Sequence, residues 1–396
     1  MKRNTYLEML AKQKALLIQK GYDFSTFQSK SILERYKILH SLQEEYLGND
    51  KPINHIRPII SVCIPTYQQH DYIRECIEGA LMQQTSFPFE IVIGDDGSVD
   101  GTTEICMEYA EKYPDKIRFY NRTRELCRVF DEKGHLEKEQ AGNWWWTLQD
   151  GRGTYIAICE GDDYWIDSLK LQKQVDFLEK HSEYVLSHTS IKYYYQSQHF
   201  FISSKDIEIN SKIQEKGYIL REDILSSYRI QTASVVYRRN LLEKIQESDP
   251  FLYKSGYFLM GDTPLWYGLL QKGKIHFLQE VTTVYRKNNG SVTGHKNLKK
   301  YYRFILSMAE LRLYLALRDN LSKSFILIAQ KRYQNSAVDY LAFDPSFNLL
   351  YPLELEKVKS AKKKLYKMSL LKYYLSLYIS IRSFLGYLRR YLIKSI

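Results

Sequence analysis

The sequence predicts an α/β protein: a mixed, mostly parallel sheet covered by helices on both faces, with helical extensions at either end. Two observations carry that expectation. From Ile59 to about residue 180, short apolar runs alternate with segments whose apolar residues recur at helical spacing. Two of those runs lead into acidic clusters, Asp95-Asp96-Gly97-Ser98 and Glu160-Gly161-Asp162-Asp163. Such alternation builds three layers, helix on sheet on helix, and ligands then bind beyond the carboxyl ends of the strands.

Taken in order, Tyr6, Met9, Leu10, Leu16 and Leu17, then Ile32, Leu33, Tyr36, Leu39 and Leu42, fall at helical spacing, and the run Gly48 to Pro52 breaks it. The first strand is expected at Ile59 to Ile64, ended by Pro65. A helix opening at Asp71 places Ile73, Cys76, Ile77, Ala80 and Leu81 on one face. The second strand is expected at Phe89 to Ile93, and Thr102 is suited to cap a helix that buries Ile105, Cys106, Tyr109 and Ala110. A third strand at Ile117 to Tyr120, a helix around Asn143 to Leu148, a strand at Tyr155 to Cys159 and a helix carrying Leu171, Val175 and Leu178 complete the alternation. Farther on, Tyr184 to Tyr195, Thr232 to Tyr237, Lys274 to Gln279 and Val281 to Tyr285 are rich in β-branched and aromatic residues and predict further strands. Helical spacing resumes beyond about residue 298. The expected organisation is a helical extension over 1–57, a catalytic-type domain over 58–297 and a helical region over 298–396.

The composition, 44% hydrophobic and 26% charged over 396 residues, is that of a folded protein with a sizeable core. The net charge of +11 has a location. From Lys357 onward there are eleven Lys or Arg and no Asp or Glu, so the preceding 356 residues sum to zero. A neutral body argues against a nucleic-acid surface. The five cysteines are scattered, without a C-x-x-C pair, and no apolar run near the start resembles a signal sequence, so reduced cysteines and a cytoplasmic setting are expected. H-E-x-x-H and G-x-x-x-x-G-K-[ST] are absent, and no G-x-G-x-x-G follows the first strand, which removes support for zinc hydrolysis, P-loop chemistry and dinucleotide oxidation.

Carboxylates gathered at strand ends repel one another and lose hydration, so such clusters call for cations or polar ligand groups. In Glu160-Gly-Asp-Asp-Tyr-Trp165 the glycine allows a tight turn, and the adjacent carboxylates can serve a divalent cation and sugar hydroxyls separately. An acidic surface turn without a ligand is the competing reading. In the first cluster, glycines and small hydroxyls precede a helix N-terminus, where free amides attract polar or anionic groups. Asp96 suits a base N–H or ribose hydroxyl, while Asp95 fits either a ligand contact or a structural turn. Asp262, ahead of Pro264, falls at the start of a helix, either as a positioned base or as a simple cap. Of Trp144 to Trp146, core packing is expected for at least one.

Ser61-Val-Cys-Ile-Pro65-Thr66-Tyr67, Asp95-Asp96-Gly-Ser-Val-Asp-Gly-Thr102, Gly153-Thr-Tyr-Ile and Glu160-Gly-Asp-Asp-Tyr-Trp165, in that order, resemble family 2 glycosyltransferases of the GT-A fold over about residues 58 to 297. The resemblance implies a nucleotide-sugar donor, a divalent cation (Mn²⁺ or Mg²⁺) and inversion at the anomeric carbon. By position it places Pro65, Thr66, Tyr67 and Asp96 around the nucleoside, Asp162 at the ribose or donor sugar and Asp163 on the metal. It makes Asp262 the general base and puts Arg286 near the diphosphate or acceptor, where a solvated turn is the alternative. Gln68 and Asn288 depart from the family, which usually has Asn and often His there.

The basic end gathers Leu370, Tyr374, Leu377, Tyr378, Ile381, Leu385, Leu388 and Leu392 on one helical face. Such a helix either lies in the interface of an anionic membrane or packs on the protein. The expected function is an inverting, metal-dependent glycosyltransferase acting on a glycan or lipid-linked acceptor in bacterial surface-polysaccharide synthesis, peripheral at the inner face of the membrane. A nucleotidyltransferase or a catalytically inactive glycan-binding protein is the alternative.

Overall fold

The computed structural model describes residues 3–30, 34–40, 56–127, 129–130, 136–138, 142–255, 257–288, 297–344 and 346–351. The chain divides into two units, Met1–Ser291 and Val292–Ile396. In the first unit the strands are β1 (Ile60–Thr66), β2 (Phe89–Asp95), β3 (Ile117–Asn121), a small separate ribbon of β4 (Val129–Phe130) and β5 (Leu136–Lys138), then β6 (Tyr155–Ile158), β7 (Tyr164–Trp165), β8 (Tyr184–Tyr195), β9 (Phe200–Ser203), β10 (Val235–Arg238) and β11 (Lys274–Lys287). The main sheet runs β3-β2-β1-β6-β10-β8-β11-β7, with β9 on the side of β8. It is parallel from β3 to β6. Strand β10 then pairs antiparallel with both β6 and β8, while β8 and β11 are parallel. The mixed sheet expected from the sequence is present.

The helices of this unit are α1 (Arg3–Gln19), α2 (Phe24–Ser29), α3 (34–40), α4 (Ile73–Leu81), α5 (Thr102–Lys112), α6 (Arg124–Cys127), α7 (Gly142–Gln149), α8 (Lys170–Lys180), α9 (Asp206–Gln214), α10 (Arg221–Ser226), α11 (Leu242–Ser248), α12 (Pro250–Lys254) and α13 (Asp262–Leu270). Side chains alternate across a strand, so Ile60, Val62 and Ile64 of β1 share one face with Ile91 and Ile93 of β2. There they meet Ile73, Cys76, Ile77 and Ala80 of α4, Ile105 and Cys106 of α5, and Leu171, Val175 and Leu178 of α8. The opposite face is covered by α7 and α13, where Trp266 lies edge-on to Tyr237 of β10. A strand buried on both faces reads as a continuous apolar run, and that is why β1, β2 and β6 were recognisable.

Helices α1 to α3 pack on the α7 side. Leu10, Leu17, Phe27 and Leu39 cluster with Leu126 and Trp146, and the Tyr36 hydroxyl donates to Asp150 at 2.9 Å. Asp150 also pairs with the buried Arg122, whose other nitrogen donates to Asn143 and Thr147 of α7.

Two expectations are corrected. Lys274 to Tyr285 forms one strand, bent by register shifts between Leu278 and Thr283 where two strands were predicted. Thr102 does not cap α5: Asp100 accepts from its backbone N–H at 3.0 Å, and its hydroxyl accepts instead from the Gln69 N–H at 2.8 Å.

In the second unit, α14 (Leu298–Arg318) and α15 (Lys323–Leu341) form a helical hairpin, capped by Asn297 and Ser322. Among the described residues no helix is long and apolar enough to cross a membrane. The predicted basic helix lies outside the described residues, as does the break in helical spacing expected at residues 48–52.

Candidate active site

Strand β1 organises the site because it lies between the two strands that end in acid. Register pairs Thr66 with Asp95 on one side and Cys63 with Ile158 on the other. Beyond the sheet, the Asp96 N–H donates to the Thr66 carbonyl at 3.0 Å and the Gly161 N–H to the Pro65 carbonyl at 3.2 Å. Both clusters therefore emerge at one edge of the sheet, a few ångströms from the same loop.

The first cluster divides its labour. Asp95 is fully buried and accepts from the Ser98 N–H and hydroxyl and from the Thr103 hydroxyl, so it builds the turn, one of the two readings left open for it. Gly97 and Gly101 hold left-handed φ angles of 75° and 106°, which favour glycine. The loop after β1 is stitched to this turn: Gln68 N–H donates to Ser98 Oγ at 2.8 Å, and Val99 N–H to Gln68 Oε1 at 3.0 Å. Asp96 is 7% exposed, and Arg124 Nε lies 3.5 Å from its Oδ2. Burial pushes its carboxyl up to about 7, with Arg124 and Arg122 pulling back. The same Arg124 guanidinium stacks 3.6 Å from the ring centre of Tyr67, an exposed aromatic. Pro65 and Thr66 are buried connectors, whereas Tyr67, Arg124 and Asp96 together offer a flat face and polar groups. Arg124 carried no signal in the sequence.

The second cluster is a tight turn in which the Asp163 N–H donates to the Glu160 carbonyl at 2.8 Å. A Cβ on Gly161 would meet Gln69 Oε1 at 2.3 Å and Thr66 Oγ1 at 2.7 Å, so the close approach of the two loops requires glycine. Asp163 is 2% exposed, and its Oδ1 accepts from the Arg286 backbone N–H at 2.8 Å. Asp162 accepts from Asn288 Nδ2 at 3.1 Å and lines a polar cavity of about 360 Å³ with Gln69, Tyr72, Gln196 and Asn288. Burial raises the carboxyls of Glu160, Asp162 and Asp163, and for Glu160 and Asp163 the neighbouring acids raise them further. Among the described residues no group of three or more His, Cys, Asp or Glu stands ready to hold a metal. The turn nevertheless fits a hard cation in its chemistry, since its three carboxylates face the cation of Arg286, itself paired with Glu75, and hard ions take one or two protein carboxylates alongside substrate phosphates.

Arg286 is brought to this turn, but its nitrogens have protein partners: Nε on the Asp162 carbonyl, Nη1 on Gln196, Nη2 on Glu75. These contacts compete with the expected role near a diphosphate. Asn288, which departs from the family, serves as a clamp on Asp162.

Asp262 is the first residue of α13, with its Oδ1 accepting from the Thr263 N–H at 2.6 Å. It lies near enough to Glu160 that its charge raises that carboxyl. The base candidate is therefore close to the acidic turn. Its own carboxyl is raised by burial, because desolvation outweighs the lowering by a helix dipole whose contribution is limited to the first turn. Trp144 and Trp145 of α7 flank Gly261, with ring atoms 3.3 Å and 3.6 Å from where its Cβ would be. Trp146 turns into the core, as expected for at least one of the three.

Residues 61–130 match the family model described as glycosyl transferase family 2. Over those residues the chain is similar to glycosyl transferase family 2. An uncharacterized protein of Mycobacterium tuberculosis is 36% identical over 180 residues, 46% of this chain and 47% of that one, so the chain spans about half the length of this relative. The Escherichia coli UDP-Glc:alpha-D-GlcNAc-diphosphoundecaprenol beta-1,3-glucosyltransferase WfaP is 28% identical over 60% of this chain and 81% of its own. The uncharacterized glycosyltransferase EpsJ of Bacillus subtilis is 23% identical over 60% and 63%.

Proposed function

We propose that this protein is a family 2 inverting glycosyltransferase that moves a sugar from a nucleotide-sugar donor to an acceptor hydroxyl in bacterial surface-polysaccharide synthesis. The observation that carries the reading is the nearness of Asp262 to the Glu160–Asp163 turn, because donor and proton acceptor must flank one sugar. In this reading Tyr67, with Pro65 and Thr66 behind it, receives the base, and Asp96 accepts from a base N–H or ribose hydroxyl. Asp162 holds donor hydroxyls from its place in the polar cavity. Asp163, with Asp162 beside it, would hold a divalent cation, which supplies Lewis-acid stabilisation of the charge on the departing diphosphate.

Asp262 takes the proton of the acceptor hydroxyl while that oxygen attacks the anomeric carbon opposite the leaving group. The new glycosidic bond forms as the bond to the diphosphate oxygen breaks, inverting the configuration. A carboxyl raised by burial is, when ionised, a stronger base than a free one. Trp144 and Trp145 border Asp262 with aromatic surface suited to the apolar face of an acceptor sugar. The name of WfaP, a transferase acting on a lipid-linked sugar, supports a lipid-linked acceptor, and the eleven cations after residue 356 suit contact with an anionic membrane.

The test is a panel of UDP- and GDP-sugars with and without Mn²⁺, read by release of nucleotide and by thermal shift. Mn²⁺-dependent release from one donor, lost in Asp262→Asn with donor binding retained, is the expected result. Binding of a donor without turnover under any acceptor condition would favour a glycan-binding or nucleotide-binding protein.

A further inference from the structure

Arg286 ends β11 as a nearly buried cation, 4% exposed, and each part of it meets a different partner. Its backbone N–H donates to Asp163 Oδ1 at 2.8 Å and its Nε to the Asp162 carbonyl at 2.9 Å. Nη1 donates to Gln196 Oε1 at 2.6 Å, and Nη2 pairs with Glu75 of α4. The guanidinium carbon lies 4.8, 5.1 and 5.5 Å from the ring centres of Tyr72, Tyr164 and Tyr194. To reach a donor phosphate this group would have to leave an ion pair, a charge-assisted hydrogen bond and three aromatic neighbours. Its planar fork is already oriented by protein atoms in separate directions.

We infer that Arg286 is a positioning residue for the acidic turn, and that Glu75 is the anchor that keeps it there. Adjacent carboxylates on one short turn repel, and unless something fixes their backbone they can rotate away from a shared ligand. Arg286 fixes it at two points, the Asp162 carbonyl and the Asp163 carboxylate, and transmits the constraint to α4 through Glu75 and to the end of β8 through Gln196. The Glu75 side chain is 53% exposed, so its pairing with a buried arginine has its consequence at the turn and little in the core. The inference rests on the proposed transferase reading for its effect on turnover; the structural part stands apart from it.

The experiment compares the full chain with Glu75→Gln, Arg286→Lys and Arg286→Gln. Hydrogen exchange by mass spectrometry follows peptides over 160–165, with β2 as the internal reference. Exchange over 160–165 is expected to be about tenfold faster or more in Glu75→Gln and Arg286→Lys, with β2 unchanged, because local protection follows local anchoring. With a panel of UDP- and GDP-sugars and Mn²⁺, both variants are expected to lose kcat/KM together and by similar factors. Unchanged exchange over 160–165 in both variants would overturn the inference. So would a KM raised many-fold in Arg286→Lys beside a wild-type-like Glu75→Gln, the signature of a direct phosphate contact. If the wild type turns over no sugar nucleotide, the proposed function fails, and the exchange measurement still decides the positioning role. Should Arg286→Gln fail to fold, the half-exposed Glu75→Gln carries the test.

Discussion

Asp96 illustrates how burial tunes a single residue. Its carboxyl is pushed up to about 7, mainly because it is desolvated, so near neutral pH it is only partly ionised. If its ionised form accepts a hydrogen bond from a nucleoside, binding of UDP or GDP should tighten by about tenfold between pH 6 and pH 8. Asp96→Asn should bind more weakly and show a flat profile; calorimetric titrations at several pH values make the comparison. A flat wild-type profile would remove Asp96 from the nucleoside contact. For Asp262 the direction is the same, raised by burial, so turnover should climb as pH rises through its titration. Asp262→Asn should lower turnover by about 10² to 10⁴ and leave Mn²⁺ binding intact. Asp163→Asn should do the reverse in kind, weakening metal-dependent donor binding in a calorimetric titration. These acids were legible because charge at the end of an apolar run is conspicuous. Glu75, Gln196 and Arg124 were not, because each is an ordinary polar residue on a helix or loop until the fold brings it to the site.

At the level of elements, legibility followed burial. Strands β1, β2 and β6 are apolar throughout, and α4, α5 and α8 show a clear 3.6-residue stripe, so both periods stood out. Strand β7 has two residues and β9 is largely exposed, and neither leaves a pattern long enough to read. In β11 an exposed Glu280 at the bulge interrupts the apolar run and made one strand look like two. The contact between β2 and α7 depends on a residue with no side chain. A Cβ on Gly94 would lie 2.0 Å from Thr147 Oγ1 and 2.3 Å from Arg122 Nη1. Both atoms belong to a buried network that includes Asn143, so they cannot move aside without breaking hydrogen bonds. Gly94→Ala should therefore destabilise the protein by about 1–3 kcal/mol, measured by denaturant unfolding. Because α7 carries Trp144 and Trp145 to the edge of the site, the same variant should also weaken the acceptor side. A Gly94→Ala protein as stable as wild type would mean that α7 is held less tightly than its contacts indicate.

Across the whole molecule, the acidic edge makes stability depend on pH in a direction opposite to that of a protein held by exposed salt bridges. Asp95 is raised to about 6 and Asp96 to about 7, and Asp162 and Asp163 are raised as well, in each case chiefly by burial. A carboxyl whose folded pKa exceeds its unfolded value contributes stability that is complete below the unfolded value and is lost as pH rises through the folded one. For Asp95 and Asp96 that window runs from about 4 to about 7. Asp96→Asn should accordingly match or fall below wild type at pH 4 and exceed it at pH 8, since the neutral amide never acquires the buried charge. Differential scanning calorimetry of the two proteins at both pH values reads the crossing. Mn²⁺ should raise the wild-type Tm at pH 8 far more than at pH 4, where protonated carboxyls cannot hold it, and Asp163→Asn should suppress that rise. If wild type and Asp96→Asn keep the same order at both pH values, the strain of the acidic edge is relieved by groups other than a ligand. The view that this edge is held ready for a cation and a donor would then lose its energetic basis.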